Sequence, residues 1–309
     1  MLAQADGSPV VLRAIVARGR HDGPTLYTGA ALHGDEVCGI EVIRRVLAVV
    51  DLDRFRGAMV AVPVQNPLAF LQRQRFVPGN AFDAYAIDVM NAFPGSEDGE
   101  VSAVLAHALL DRFIRHADYA VDLHSALPGG VNLEYCFTPA GSDRKVEVAR
   151  RLARVFGLDL VIEMERPGSY VGPTKLTQVA TMAGTPTFAV EFDQAGTATP
   201  ASVEKGLAGF LNLFRSLGML TDEPARTPRR QFIAGDYHYV RLQRAGMYLP
   251  EAKLGHVLKR GDRIGTVYDL YQDEAVPVHA PCDGLLYRIT IPRPLNASER
   301  VAAIAIAAA

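Results

Sequence analysis

The chain has 309 residues, enough for two units or for one large α/β unit with an appendage. Hydrophobic residues at 49% and charged residues at 21% are values of an ordinary globular protein, which excludes disordered and fibrous architectures. Lys and Arg total 32 against 34 for Asp and Glu, a net charge of -2 with no strongly basic segment, so nucleic-acid phosphates would find no continuous footprint.

Taken in chain order, the first two-thirds alternate short apolar runs with amphipathic ones, the pattern of an α/β sheet flanked by helices. Residues 10–16 and 26–31 are expected as strands, and Val37, Ile40, Ile43, Leu47 and Val50 then recur at helical spacing. Strands follow at 59–64, 119–123, 133–138 and 187–192, with helices at 101–114, 146–156 and 203–217. At 221–230 the sequence TDEPARTPRR turns polar and proline-bearing, as a domain boundary does. Beyond it, β-prone runs at 237–242, 264–270, 285–291 and 301–306 are punctuated by glycine and proline. The expected organisation is an α/β domain over 1–222 and a β-rich domain over 230–309.

Cys38, Cys136 and Cys282 lie far apart and are odd in number, which argues against a disulfide framework and fits a reducing cytoplasm. The N-terminus has no basic stretch ahead of an apolar core, and nowhere do about 18 uncharged apolar residues run together. A soluble, cytoplasmic protein with no membrane partner is expected, and its oligomeric state, a homo-oligomer included, is left open.

Chemistry concentrates at residues 26–39, LYTGAALHGDEVCG, where a strand runs through a polar corner into a helix. The carboxyl ends of strands in an open α/β sheet form the crevice where ligands bind, and His33 and Glu36 stand just past one such end. An imidazole and a carboxylate three residues apart can close on one ion, with Gly34 letting the backbone turn between them. A catalytic zinc takes a third protein ligand and keeps an open position for water. His124 is the candidate, because its strand also ends in a polar corner, DLHSA. Glu191 lies in the apolar run PTFAVEF, where a carboxylate is costly to bury without a partner. Water held by an ion is one such partner, and a salt bridge at the sheet end is the other.

His33-Gly34-Asp35-Glu36, His124 in a D-x-H context and Glu191 after its strand resemble the succinylglutamate desuccinylase and aspartoacylase family, relatives of zinc carboxypeptidases. The resemblance implies a zinc-carboxypeptidase-like mixed sheet flanked by helices, followed by a small all-β barrel-sandwich module. It implies one Zn2+ per chain held by His33, Glu36 and His124, with Glu191 as general base and acid. Arg75 matches the arginine that polarises the scissile carbonyl and steadies the oxyanion, and Asp88 the aspartate that orients the first zinc histidine. Asn66-Pro67 also matches. One departure is pointed: where the family carries an Asn-Arg pair that holds a substrate carboxylate, this chain has Met90-Asn91. Thr181, ten residues before Glu191, stands where aspartoacylase has another carboxylate-binding arginine.

The expected activity is zinc-dependent hydrolysis that removes an acyl group from the amine of a small N-acyl substrate. With Met90 offering no donor and Asn91 no charge, that substrate is expected to lack the usual free carboxylate, unless Arg73 or Arg166 replaces the clamp. An ester or peptide-like substrate is the alternative among enzymes, and a ligand-sensing protein without turnover is the alternative outside them. Glu191 favours catalysis, since a retired site has no use for a buried base. The segment GPTK at 172–175 is too short to cradle phosphates, no GxGxxG or Walker motif occurs, and no GxSxG elbow supports Ser125 as a nucleophile.

Overall fold

The apolar runs of the first two-thirds become one mixed sheet, and the tail extends it. A computed structural model of the protein describes residues 2–4, 6–77, 88–166, 172–226, 230–272 and 274–308. The strands are β1 Ile15–Arg18, β2 His21–Ala30, β3 Arg56–Val62, β4 Tyr119–Ser125, β5 Gly130–Asn132, β6 Tyr135–Phe137, β7 Leu160–Ile162 and β8 Thr187–Phe192. In the tail they are β9 Phe232–Arg241, β10 Gly246–Pro250, β11 Val257–Leu258, β12 Arg263–Tyr268, β13 Ala275–His279, β14 Gly284–Thr290, β15 Arg293–Leu295 and β16 Arg300–Ala307. The helices are α1 Cys38–Val49, α2 Pro67–Leu71, α3 Val101–Arg112, α4 Arg144–Phe156, α5 Leu176–Ala183 and α6 Pro200–Ser216.

The twelve-stranded sheet runs β1-β3-β2-β4-β8-β6-β7-β9-β16-β14-β11, with β5 joined to β14. Its centre, β3-β2-β4-β8, is parallel. Parallel strands covered on both faces bury every side chain, which is why they read as unbroken apolar runs rather than alternating ones. All six residues of β8 are buried. On one face Val121, Leu123, Phe188 and Val190 pack with Val42 and Ile43 of α1, Phe156 of α4 and Phe210 of α6. On the other, Ala120 and Ala189 leave room for Leu105 and Leu109 of α3 and Ala180 of α5. Each large apolar side chain so buried stabilises the fold by roughly 1.5–3 kcal/mol. Asp143 caps α4 by accepting from the Lys145 amide at 2.7 Å, and Gly157 ends it in the left-handed region at φ 98°.

The expected strand at 10–16 moves to Ile15–Arg18. Val11 is 50% exposed and Val16 63%, so that apolar run lies on an outer edge rather than in a core. Helices α2 and α5 and strand β7 carry no periodicity in the sequence: three residues of β7 and eight of α5 are too short for a period to declare itself.

Main-chain hydrogen bonding continues past residues 222–230, since β7 pairs in parallel with β9, which pairs with β16. The tail is antiparallel: a second sheet, β13-β12-β10-β15, faces the extension of the first. Val240, Tyr248, Ile264, Leu286 and Ile304, drawn from both sheets, form its core. Among the described residues no helix is long and apolar enough to cross a membrane.

Candidate active site

Three parallel strands deliver the candidate ligands to one edge of the sheet. His124 and Glu191 are opposed Cα partners in β4 and β8, and β2 ends at Ala30, three residues before His33. Between them Ala31 takes φ 49°, a conformation that costs an L-residue about 1 kcal/mol and persists only where neighbours enforce it. The neighbours are at hand. The Asn66 amide donates to the Ala31 carbonyl at 3.1 Å, its side chain donates to the Leu32 carbonyl at 3.1 Å, and its Oδ1 caps α2 by accepting from Ala69 N. Gly34 does a different job from the one its sequence position suggested. Its φ is ordinary, but a Cβ there would sit 2.3 Å from the Ala69 carbonyl carbon and the Phe70 nitrogen. The requirement is close approach of two backbones rather than freedom to turn.

His33, Glu36 and His124 are each 1% exposed, and one ligand atom from each lies within 4.8 Å of the others. Glu36 Oε1 is 2.9 Å from His33 Nδ1, and Oε2 is 2.9 Å from His124 Nδ1 and accepts from Ser125 N at 3.1 Å. The outer ring nitrogens are held by acids. His33 Nε2 is 3.2 Å from Asp88 Oδ1, and His124 Nε2 is 2.7 Å from Asp122 Oδ2. Behind Asp122 the buried line continues, with Gln65 Nε2 donating to Asp122 Oδ1 at 2.8 Å and Tyr27 Oη donating to Gln65 Oε1 at 2.9 Å. Such carboxylate-imidazole pairs fix the ring and leave the other nitrogen to an ion. Two imidazoles and a carboxylate form a known catalytic zinc donor set. By donor chemistry and by orientation, the residues fit that ion.

Burial opposes charge throughout the cluster, and the neighbours decide which groups keep it. Burial pushes Glu36 up, but His33, Arg75 and His124 outweigh it and hold the carboxyl well below its usual range. Burial presses His124 down, yet Asp122 and Glu36 raise it well above the usual imidazole value. Glu191 goes the other way: burial, then repulsion from Glu36, push it up to about 7. Asn132 Nδ2 donates to Glu191 Oε2 at 3.4 Å, and the Arg288 charge acts on it from the tail. Buried Ser125 Oγ and Asn132 Oδ1 have no hydrogen-bond partner among the described residues, polar capacity left beside the cluster.

Arg75 reaches the same cluster, donating through one nitrogen to Glu36 Oε1 and lying 3.3 Å from His33 Nε2 through the other. Asp88 caps the short 3-10 turn Val89–Asn91 by accepting from Met90 N at 2.9 Å. Within that turn Met90 is 9% exposed among Val89, Phe93 and Leu105, whereas Asn91 is exposed and donates to Asp88 Oδ2 at 3.3 Å. Arg73 and Arg166 are both exposed, and Thr181 is buried, accepting from the Thr187 amide at 3.0 Å. Sequence reasoning missed Asp122, Gln65, Asn132 and Lys175. For Asp122 a signal existed, because residues two apart on a strand share a face.

Fold and site together define an α/β protein with a candidate metal centre at the carboxyl edge of its parallel strands. The chain belongs to the family of the succinylglutamate desuccinylase/aspartoacylase catalytic domain, whose model matches residues 22–217. A curated relative, N-alpha-acetyl-L-2,4-diaminobutyric acid deacetylase of Halomonas elongata, is 26% identical over 97% of this chain and 86% of its own length. Among solved structures, the product-bound ectoine utilization protein EutE (DoeB) of Ruegeria pomeroyi superposes with a TM-score of 0.84, at 20% identity over 99% of this chain and 92% of that one. A succinylglutamate desuccinylase/aspartoacylase of Rhodobacter sphaeroides gives 0.85 at 20% identity, covering 99% and 93%. At that identity the structures speak for the fold.

Proposed function

We propose that the protein is a zinc-dependent N-deacylase, an amidohydrolase that removes an acyl group from the amine of a small molecule. The observation that carries this reading is the placement of Glu191, a carboxyl pushed up to about 7, beside the His33, Glu36 and His124 cluster. A base whose pKa lies near the working pH is both available and strong enough to accept a proton. Family membership and the named activity of the Halomonas relative support the same chemistry.

His33, Glu36 and His124 would hold the zinc ion. When bound, zinc supplies a Lewis acid for the acyl carbonyl and a water acidic enough to ionise near neutral pH. Glu191 accepts a proton from the attacking water and returns it to the leaving nitrogen, so the amine departs neutral. Arg75, already aimed into the cluster, donates to the carbonyl oxygen as charge gathers on it. Asp122 and Asp88 hold the two imidazoles in place.

The test is release of free amine from a panel of N-acyl compounds that includes N-alpha-acetyl-L-2,4-diaminobutyric acid. Turnover that a chelator abolishes and added zinc restores is the expected result. Failure of zinc-loaded protein to cleave any amide in the panel would overturn the reading.

A further inference from the structure

The Met90-Asn91 segment, stripped of its arginine, does not leave its surroundings without positive charge. Lys175 stands at the start of α5 with its side chain half-buried, and its Nζ donates to Asn91 Oδ1. From there the hydrogen bonds run inward: Asn91 Nδ2 to Asp88 Oδ2 at 3.3 Å, and Asp88 Oδ1 to within 3.2 Å of His33 Nε2. The ammonium thus sits at the rim of the candidate centre, on the Asp88 side. It arrives from the segment GPTK at 172–175.

Its ammonium makes no direct ion pair among the described residues. Lys205 and Lys259 pair with Glu134 and Asp283 at 2.6 and 2.9 Å, whereas the Lys175 ammonium, among the described residues, has only the neutral Asn91 side-chain amide as hydrogen-bond partner. An ammonium carries three donors, so capacity remains. Burial presses its pKa down; Asp88 attracts the charge, and Arg75 is near enough to repel it. Two cations therefore face one region across a single aspartate that His33 already uses.

We propose that Lys175 receives a carboxylate on the amine portion of the substrate, taking over the charge recognition that Met90 and Asn91 do not provide. The proposal rests on the deacylase reading above and replaces the expectation of a neutral substrate group. An ammonium is a point charge on a flexible stem, where a guanidinium is a planar fork, so selection falls on charge more than on carboxylate geometry.

The experiment compares kcat/KM for N-alpha-acetyl-L-2,4-diaminobutyric acid and its carboxamide in the zinc-loaded wild type, K175M and K175R. The wild type is expected to prefer the acid by tenfold or more. K175M should lose most of that preference, mainly through KM, and K175R should restore it, which a merely structural lysine would not produce. Equal use of acid and amide by the wild type, or a preference that survives K175M, would overturn the proposal and leave the deacylase reading intact. If neither compound is cleaved, calorimetric binding of the same pair to the wild type and K175R against K175M still decides it. Tenfold weaker binding of the acid to K175M supports the proposal, and equal binding refutes it.

Discussion

Glu191 occupies a strand buried from end to end, and it is the residue whose state the cluster controls most directly. As the proposed base, Glu191 must be ionised to work, so kcat/KM should rise as pH increases through about 7 and level off above it. In Glu191→Gln that limb should vanish and kcat should fall by roughly 10²-fold or more, while zinc stays bound. A metal-loaded Glu191→Gln enzyme with near-normal kcat would mean that another group takes the proton. Arg75→Ala should lower kcat by about 10²–10³-fold, the size of a lost oxyanion donor. A rise in KM alone would make Arg75 a binding residue instead. At this scale the sequence was partly legible. His33, Glu36 and His124 announce themselves as polar residues at the ends of apolar runs, and Asp122 shares a strand face with His124. Gln65, Asn132 and Lys175 do not, because each comes from a loop, strand or helix that only the tertiary fold brings to the cluster.

The element that sets the geometry is the corner between β2 and α1. Its position depends on α2, a helix of five residues whose Asn66 cap and Pro67 start lock the Ala31–Leu32 backbone. Gly34→Ala would drive a methyl into the Ala69–Phe70 peptide of α2, main chain that cannot step aside cheaply. Overpacking of this kind costs about 1–3 kcal/mol. A lower Tm together with weaker zinc binding is therefore expected, measured by calorimetry and zinc titration; an unchanged Tm would show that the corner gives way. Long periodic helices such as α4 and α6, and the buried parallel strands, were readable because 3.6- and unbroken-run patterns persist over many residues. The corner itself was readable as a motif, but the reason for its glycine was not, since α2 is absent from any periodicity.

Over the whole molecule, the tail is joined to the α/β layers by hydrogen bonds rather than by a tether. β14 pairs with β5 through Arg288 and Asn132, and Asn132 in turn touches Glu191. β9 continues the main sheet from β7. Unfolding of either part strips ladder partners from the other, so the full chain should melt in one calorimetric transition. Two well-separated transitions would show that the parts are independent. The composition shift near residue 230 was legible as a change from helix-bearing to β-only texture. Pairing between strands more than 150 positions apart, such as β5 with β14, leaves no local trace in a sequence.

In the proposed mechanism His33, Glu36 and His124 hold the ion on which amide hydrolysis depends. The most direct measurement is amine release plotted against zinc bound per chain, titrated into chelator-treated protein. Activity should climb in proportion to occupancy and saturate at about one zinc, the single ion that a site with three protein ligands and an open position holds. His124→Ala should bind less zinc and stay inactive across the same titration. Full activity in the metal-free protein, or a His124→Ala curve that overlays the wild type, would contradict it.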